Sequence, residues 1–83
     1  MSKLMYPIGT EKAITQISKD NTLTYVVELS ATKYEIKKEF EKMFNVKVES
    51  VRTMNSPLNK KHAFIKLNKD FNASDVAMKL KLV

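Results

Sequence analysis

From Thr22 to Leu29 the side chains alternate, with Leu23, Tyr25, Val27 and Leu29 on one side and Thr22, Thr24, Val26 and Glu28 on the other. This period of two predicts a strand, because successive side chains leave a sheet on opposite faces. The period then lengthens. Ile36, Phe40, Met43 and Phe44 recur at helical spacing, with Lys37, Lys38, Glu41 and Lys42 largely outside the apolar stripe. Thr32-Lys33-Tyr34-Glu35 starts that helix as a capping box: the Thr32 hydroxyl can accept from the Glu35 amide while the Glu35 carboxylate reaches back to the Thr32 N–H. Val46, Val48, Val51 and Met54 mark a second strand whose apolar phase slips by one residue after Val48, which predicts a bulge or burial on both faces. The turn-forming run from Asn55 to Lys60 leads to a third strand, in which Ala63, Ile65 and Leu67 alternate with His62, Phe64 and Lys66.

Shorter elements flank this core. Thr10 can cap a helix with Ala13, Ile14 and Ile17 on its apolar edge, ending at Lys19-Asp20-Asn21. Leu4 to Tyr6 offers an edge strand, and Asn72 to Asp75 caps a last helix carrying Ala73, Val76, Ala77 and Leu80. The expected fold class is α+β, one domain over residues 1–83: a small antiparallel or mixed sheet with a β-α-β-β core. The third strand lies centrally, antiparallel to both neighbours, and the short N-terminal and C-terminal helices pack on the sheet.

Composition narrows the chemistry. A chain of 83 residues has little surface to spare for a two-lobed catalytic cleft. The absence of Cys excludes disulfides, thiol catalysis and cysteine-ligated zinc, and a single His excludes a multi-histidine metal site. Gly9 is the only glycine, so there is no glycine-rich phosphate loop. The carboxylates sit mostly at caps or among lysines, and His62 lies among lysines on a strand, where it reads as a surface polar residue or an RNA contact. No catalytic residue, metal or cofactor is expected. The stretch up to Lys12 lacks the apolar segment of a secretory signal, so the expected compartment is the cytoplasm. The net charge of +6 favours a polyanionic partner, and it is concentrated: between residues 46 and 69, Lys47, Arg52, Lys60, Lys61, Lys66 and Lys69 stand against Glu49 alone.

Several motifs occur in a telling order: Thr10-Glu11-Lys12, Ala31-Thr32-Lys33 with Ile36, Phe44-Asn45-Val46-Lys47-Val48 leading through Val51 to Thr53, and Lys61 to Asn68 with Val76 downstream. In these the chain resembles the universal large-subunit ribosomal protein L twenty-three family, from Pro7 to Leu82. Bacterial members carry a long basic extension between the second and third strands, where this chain has only Asn55 to Asn59. Eukaryotic members typically add a basic N-terminal arm, absent before Met5, so the outline is archaeal-like.

The resemblance implies a structural constituent of the large ribosomal subunit that binds its rRNA and helps form the rim of the polypeptide exit tunnel, with no small-molecule substrate. It implies as partners neighbouring large-subunit proteins and, at the tunnel exit, the signal recognition particle, the translocon or a nascent-chain chaperone. Glu11, with Lys12 beside it, is the candidate for factor docking. For RNA, the candidates are Lys12, Lys33 and Lys37 on helices and Arg52, Lys60, Lys61 and Lys66 on a basic hairpin, with Thr32, Thr53 and Asn55 available to riboses. Lysines neutralise phosphates without reading bases, while Arg52 can add a bidentate contact.

Two other readings compete. A free-standing RNA-recognition domain is suggested by Ala63, Phe64 and Ile65, but Lys61 replaces that family's glycine, and His62 and Leu67 stand where stacking aromatics are expected. A protein-interaction module would bind through a sheet edge and use its lysines only for solubility.

Overall fold

The computed structural model describes residues 4–56 and 60–81. The element order is β1 (Leu4–Pro7), α1 (Glu11–Asp20), β2 (Thr22–Val27), α2 (Lys33–Phe44), β3 (Val48–Ser56), β4 (Lys60–Leu67) and α3 (Ala73–Lys79). The four strands form one sheet in the order β1-β2-β4-β3, with every neighbouring pair antiparallel. Thus β4, the third strand of the core, lies centrally as the sequence implies, and β1 adds the edge strand.

One face of the sheet makes the core. Leu23, Tyr25 and Val27 of β2, Val48 of β3, and Ala63, Ile65 and Leu67 of β4 are buried there with Ile36 and Phe40 of α2 and Ala73, Val76 and Ala77 of α3. The Phe40 ring meets Tyr25 edge-on at 6.0 Å and Phe44 at 4.7 Å. Desolvation by this packing raises the Tyr25 phenol above its ordinary value of 10.0.

The capping box forms: Thr32 Oγ1 accepts from the Glu35 amide at 3.2 Å, and the Thr32 N–H donates to Glu35 Oε1 at 3.0 Å. Thr10 Oγ1 likewise accepts from the Ala13 amide and Asn72 Oδ1 from the Ser74 amide. The phase slip after Val48 is a bulge, since Val48 pairs with Leu67 but Ser50 with Lys66, leaving Glu49 as the extra residue. The Val48 N–H donates to Glu41 Oε2 at 2.9 Å, tying this point to α2.

Asn21 joins three elements. It ends α1 in the left-handed conformation, φ 52°, which asparagine tolerates better than most residues. Its Nδ2 donates to the Phe71 carbonyl at 2.9 Å and, more weakly, to the Leu67 and Asn68 carbonyls, while Oδ1 accepts from the Ala73 amide at 2.7 Å. The end of α1, the end of β4 and the start of α3 are thereby fixed together.

Four expectations are corrected. The strand beginning at Thr22 stops at Val27, because the Ala31 N–H donates to the Glu28 carbonyl and closes a turn that leaves Leu29 exposed. All six residues of β2 are buried rather than alternate ones, since α1 packs against the strand and β1 pairs along its edge. Met43 is exposed: the row Ile36, Phe40, Phe44 winds toward the sheet, and Met43 lies on its outer flank. Met54 is exposed too, on the face away from α2, and Asn55 and Ser56 belong to β3, paired with Lys61 and Lys60. The remainder of the expected turn, residues 57–59, lies outside the described residues.

Candidate nucleic-acid interface

In β4, Lys60, His62, Phe64 and Lys66 have the parity opposite to Ala63, Ile65 and Leu67, so they leave the sheet on the side away from α2. The strand register extends this face sideways. Rows run Thr22, Lys66, Ser50, then Thr24, Phe64, Arg52, then Val26, His62, Met54, with Tyr6 of β1 beside Val26. Polar, aromatic and cationic side chains are interleaved on one surface.

Its cations differ in their surroundings. The Arg52 guanidinium lies 6.0 Å from the centroid of the Phe64 ring, a spacing at which the ring quadrupole attracts the charge. Lys60 Nζ donates to the Tyr6 hydroxyl at 3.2 Å and stands 5.9 Å from that ring. Lys66 Nζ is 3.5 Å from Glu49 Oε2. Both partners of that pair are about half exposed, so solvent screens it and it leaves the Lys66 charge available.

A groove of about 600 Å³ runs between α1 and this face. Lys12 and Gln16 come from the helix side and Thr24, Arg52, His62 and Phe64 from the sheet side. Thr24 is only 5% exposed, and among the described residues its Oγ1 is the buried side-chain polar atom with no hydrogen-bond partner.

The expected RNA residues therefore divide. Arg52, Lys60 and Lys66 share the open face, and Lys12 stands at its rim. Lys33 and Lys37 are exposed on α2, across the sheet. Thr53 and Asn55 pair with Ala63 and Lys61 on the helix-covered side, and Lys61 Nζ donates to the Ala31 carbonyl at 2.6 Å. The expectation of one basic hairpin surface is corrected in this respect: Lys60 and Lys61 are consecutive in a strand and so point to opposite faces. The bond to Ala31 instead sets Lys61 beside Thr32, at the start of α2. Glu11 is exposed in the first turn of α1, next to Lys12.

Tyr6, Thr24 and Met54 belong to this surface without being site candidates from the sequence, and Phe64, which the sequence offers only within the likeness to an RNA-recognition domain, joins them. The parity of Lys60 and Lys66 already points to Phe64. Thr24 and Tyr6 require the pairing register, which alternation within one strand does not carry.

The family described as ribosomal protein L23 matches residues 2–80 of the chain. The large ribosomal subunit protein uL23 of Pyrobaculum aerophilum is 45% identical over 73 residues, covering 88% of this chain and 90% of that protein. The large ribosomal subunit protein uL23A of Caenorhabditis elegans is 38% identical over 80 residues, covering 96% of this chain; the match spans about half, 54%, of the nematode protein.

Proposed function

The chain belongs to the ribosomal protein L23 family, whose members are structural and not enzymatic, and from that premise we propose that it binds large-subunit rRNA through the open face of its sheet. Its place is in the large subunit of the cytoplasmic ribosome. The observation that carries the rRNA reading is the placement of Arg52, Lys60 and Lys66 on one surface with Phe64, His62 and Tyr6. Cations on one face neutralise phosphates of a folded RNA, and aromatic side chains among them can stack with unpaired bases. Lys33, Lys37, Lys61, Thr32, Thr53 and Asn55 form a second contact zone around α2, reached by another segment of the same RNA. Agreement with the family over residues 2–80 favours this reading over a free-standing RNA-recognition domain or a protein-only module.

We further propose that the chain lies at the rim of the polypeptide exit tunnel, among neighbouring large-subunit proteins. There the exposed first turn of α1, with Glu11 and Lys12, is offered to the signal recognition particle, the translocon or a nascent-chain chaperone. The exposure of both residues supports this.

Binding of the full chain to a large-subunit rRNA transcript, titrated with salt, tests the first reading. Replacing Arg52, Lys60 and Lys66 together by Ala is expected to weaken binding and to flatten its salt dependence by roughly 0.7–0.9 per lost phosphate contact. Unchanged affinity and slope would remove the open face from the interface. For the second reading, Glu11→Ala is expected to weaken factor docking on ribosomes that incorporate the variant normally; docking equal to wild type would rule Glu11 out.

A further inference from the structure

We infer that the groove between α1 and the open face receives one unpaired rRNA base, an inference that rests on the rRNA reading above and adds a site to it. The starting point is Thr24, a residue only 5% exposed whose buried hydroxyl has no hydrogen-bond partner. A buried hydroxyl left unpaired costs desolvation free energy, and cores avoid that arrangement. Thr24 lines a groove of about 600 Å³, within the size range of small-molecule sites, about 300–1,000 Å³. A ligand atom entering the groove gives Thr24 a partner.

The lining defines what kind of ligand. Phe64 lies beside Thr24 in the same row, and His62 and Met54 occupy the next row, so two aromatic rings and a thioether line the groove together with Thr24. Arg52 and Lys12 stand at the borders, and Gln16 contributes an amide from α1. A nucleobase matches this distribution: its planar face stacks on an aromatic ring, its edge both donates and accepts as the Thr24 hydroxyl can, and its phosphate remains outside with the cations. An apolar protein side chain would leave Thr24 unpaired and Arg52 and Lys12 unused. The groove adjoins the surface on which Lys60 and Lys66 already lie, so the base comes from the RNA bound there.

Two substitutions separate this site from simple phosphate binding. Thr24→Val removes only the hydroxyl and keeps a β-branched residue in the strand, so the urea midpoint should hold or rise. Affinity of the full chain for a large-subunit rRNA transcript should fall about fivefold at every salt concentration, the effect of one lost hydrogen bond, with the salt slope unchanged. Phe64→Leu should cost about tenfold, again with no change of slope. A photo-crosslinking p-benzoylphenylalanine at Met54 in assembled subunits should label one nucleotide. Removing that base from the transcript should abolish the penalties of both variants. Wild-type affinity for Thr24→Val, or crosslinking to a neighbouring protein in place of rRNA, would overturn the inference. If those results came with weakened binding by the Arg52, Lys60 and Lys66 variant, the phosphate-binding face would stand and only the base site would fall. If that variant also bound as wild type, the rRNA reading itself would fail.

Discussion

Replacing Asn21 should damage the fold more than any surface position of comparable exposure. Asn21→Gly keeps the left-handed backbone accessible, φ 52° in the wild type, but deletes the side-chain bonds to Phe71 and Ala73. Loss of the Nδ2 bond to the Phe71 carbonyl removes about 1 kcal/mol net. The Ala73 N–H is left without its acceptor in a residue that is 0% exposed, a penalty of about 1–3 kcal/mol for an unpaired buried donor. The sum, about 2–4 kcal/mol, is a large part of the 5–15 kcal/mol that ordinarily separates folded from unfolded domains. Asn21→Ala should cost about 1 kcal/mol more, because a Cβ without a polar head disfavours positive φ. Asn21→Asp keeps an acceptor for Ala73 but turns a carboxylate oxygen toward the Leu67, Asn68 and Phe71 carbonyls, and should rank with glycine. Equilibrium urea unfolding of the full chain measures all three, with the slope expected to stay constant. A change for Asn21→Gly within about 0.5 kcal/mol, the scatter of neutral surface substitutions, would refute the linking role.

Other consequences can be checked with the same protein. Thr32→Ala removes the capping hydroxyl of α2 and should lower stability by about 1 kcal/mol, with Thr32→Ser restoring most of it. Burial raises the Tyr25 pKa, so above about pH 10 the unfolded chain gives up its phenolic proton before the folded one does. Stability from this group is therefore complete below that pH and is lost as pH rises through the folded value. The stability difference between Tyr25→Phe and wild type should change only in this alkaline window, and a pH-independent difference would contradict the assignment. Lys60→Gln should reduce the salt dependence of rRNA binding by roughly 0.7–0.9 without altering the urea midpoint. Lys61→Gln should lower the midpoint, by loss of the bond to Ala31, whereas identical behaviour of the two variants would contradict their placement on opposite faces.

Much of the architecture was legible because local signals agreed with one another. The Thr32 box, the slip after Val48 and the alternation of Ala63, Ile65 and Leu67 each reflect a constraint confined to a few neighbouring residues, and each is present in the fold. Leu29 and Met43 were misplaced because periodicity continues past the point where the backbone turns, and a stripe does not say which flank meets the sheet. The full burial of β2 depends on α1 and β1 lying against it, a tertiary fact. The interface was half legible for the same reason. Positive charge marked β3 and β4, but only the register distributes Lys60 and Lys61 to different sides and brings Thr24 next to Phe64. The role of Asn21 was hidden altogether, since its partners Phe71 and Ala73 lie some fifty residues away.

The position of β4 has a consequence for biosynthesis. Of the four described strands it is made last, yet β2 and β3 hydrogen-bond to it and not to each other. A growing polypeptide that has reached Ser56 can pair only β1 with β2, and Leu23 still lacks Ile65 across the sheet. Bringing such distant segments together carries the entropy of closing a long loop before the contacts repay it. Folding therefore waits for Leu67, and until then Ile36 and Phe40 have no completed surface to rest on. For this topology a cooperative sheet needs the whole stretch from Leu4 to Leu67 at once.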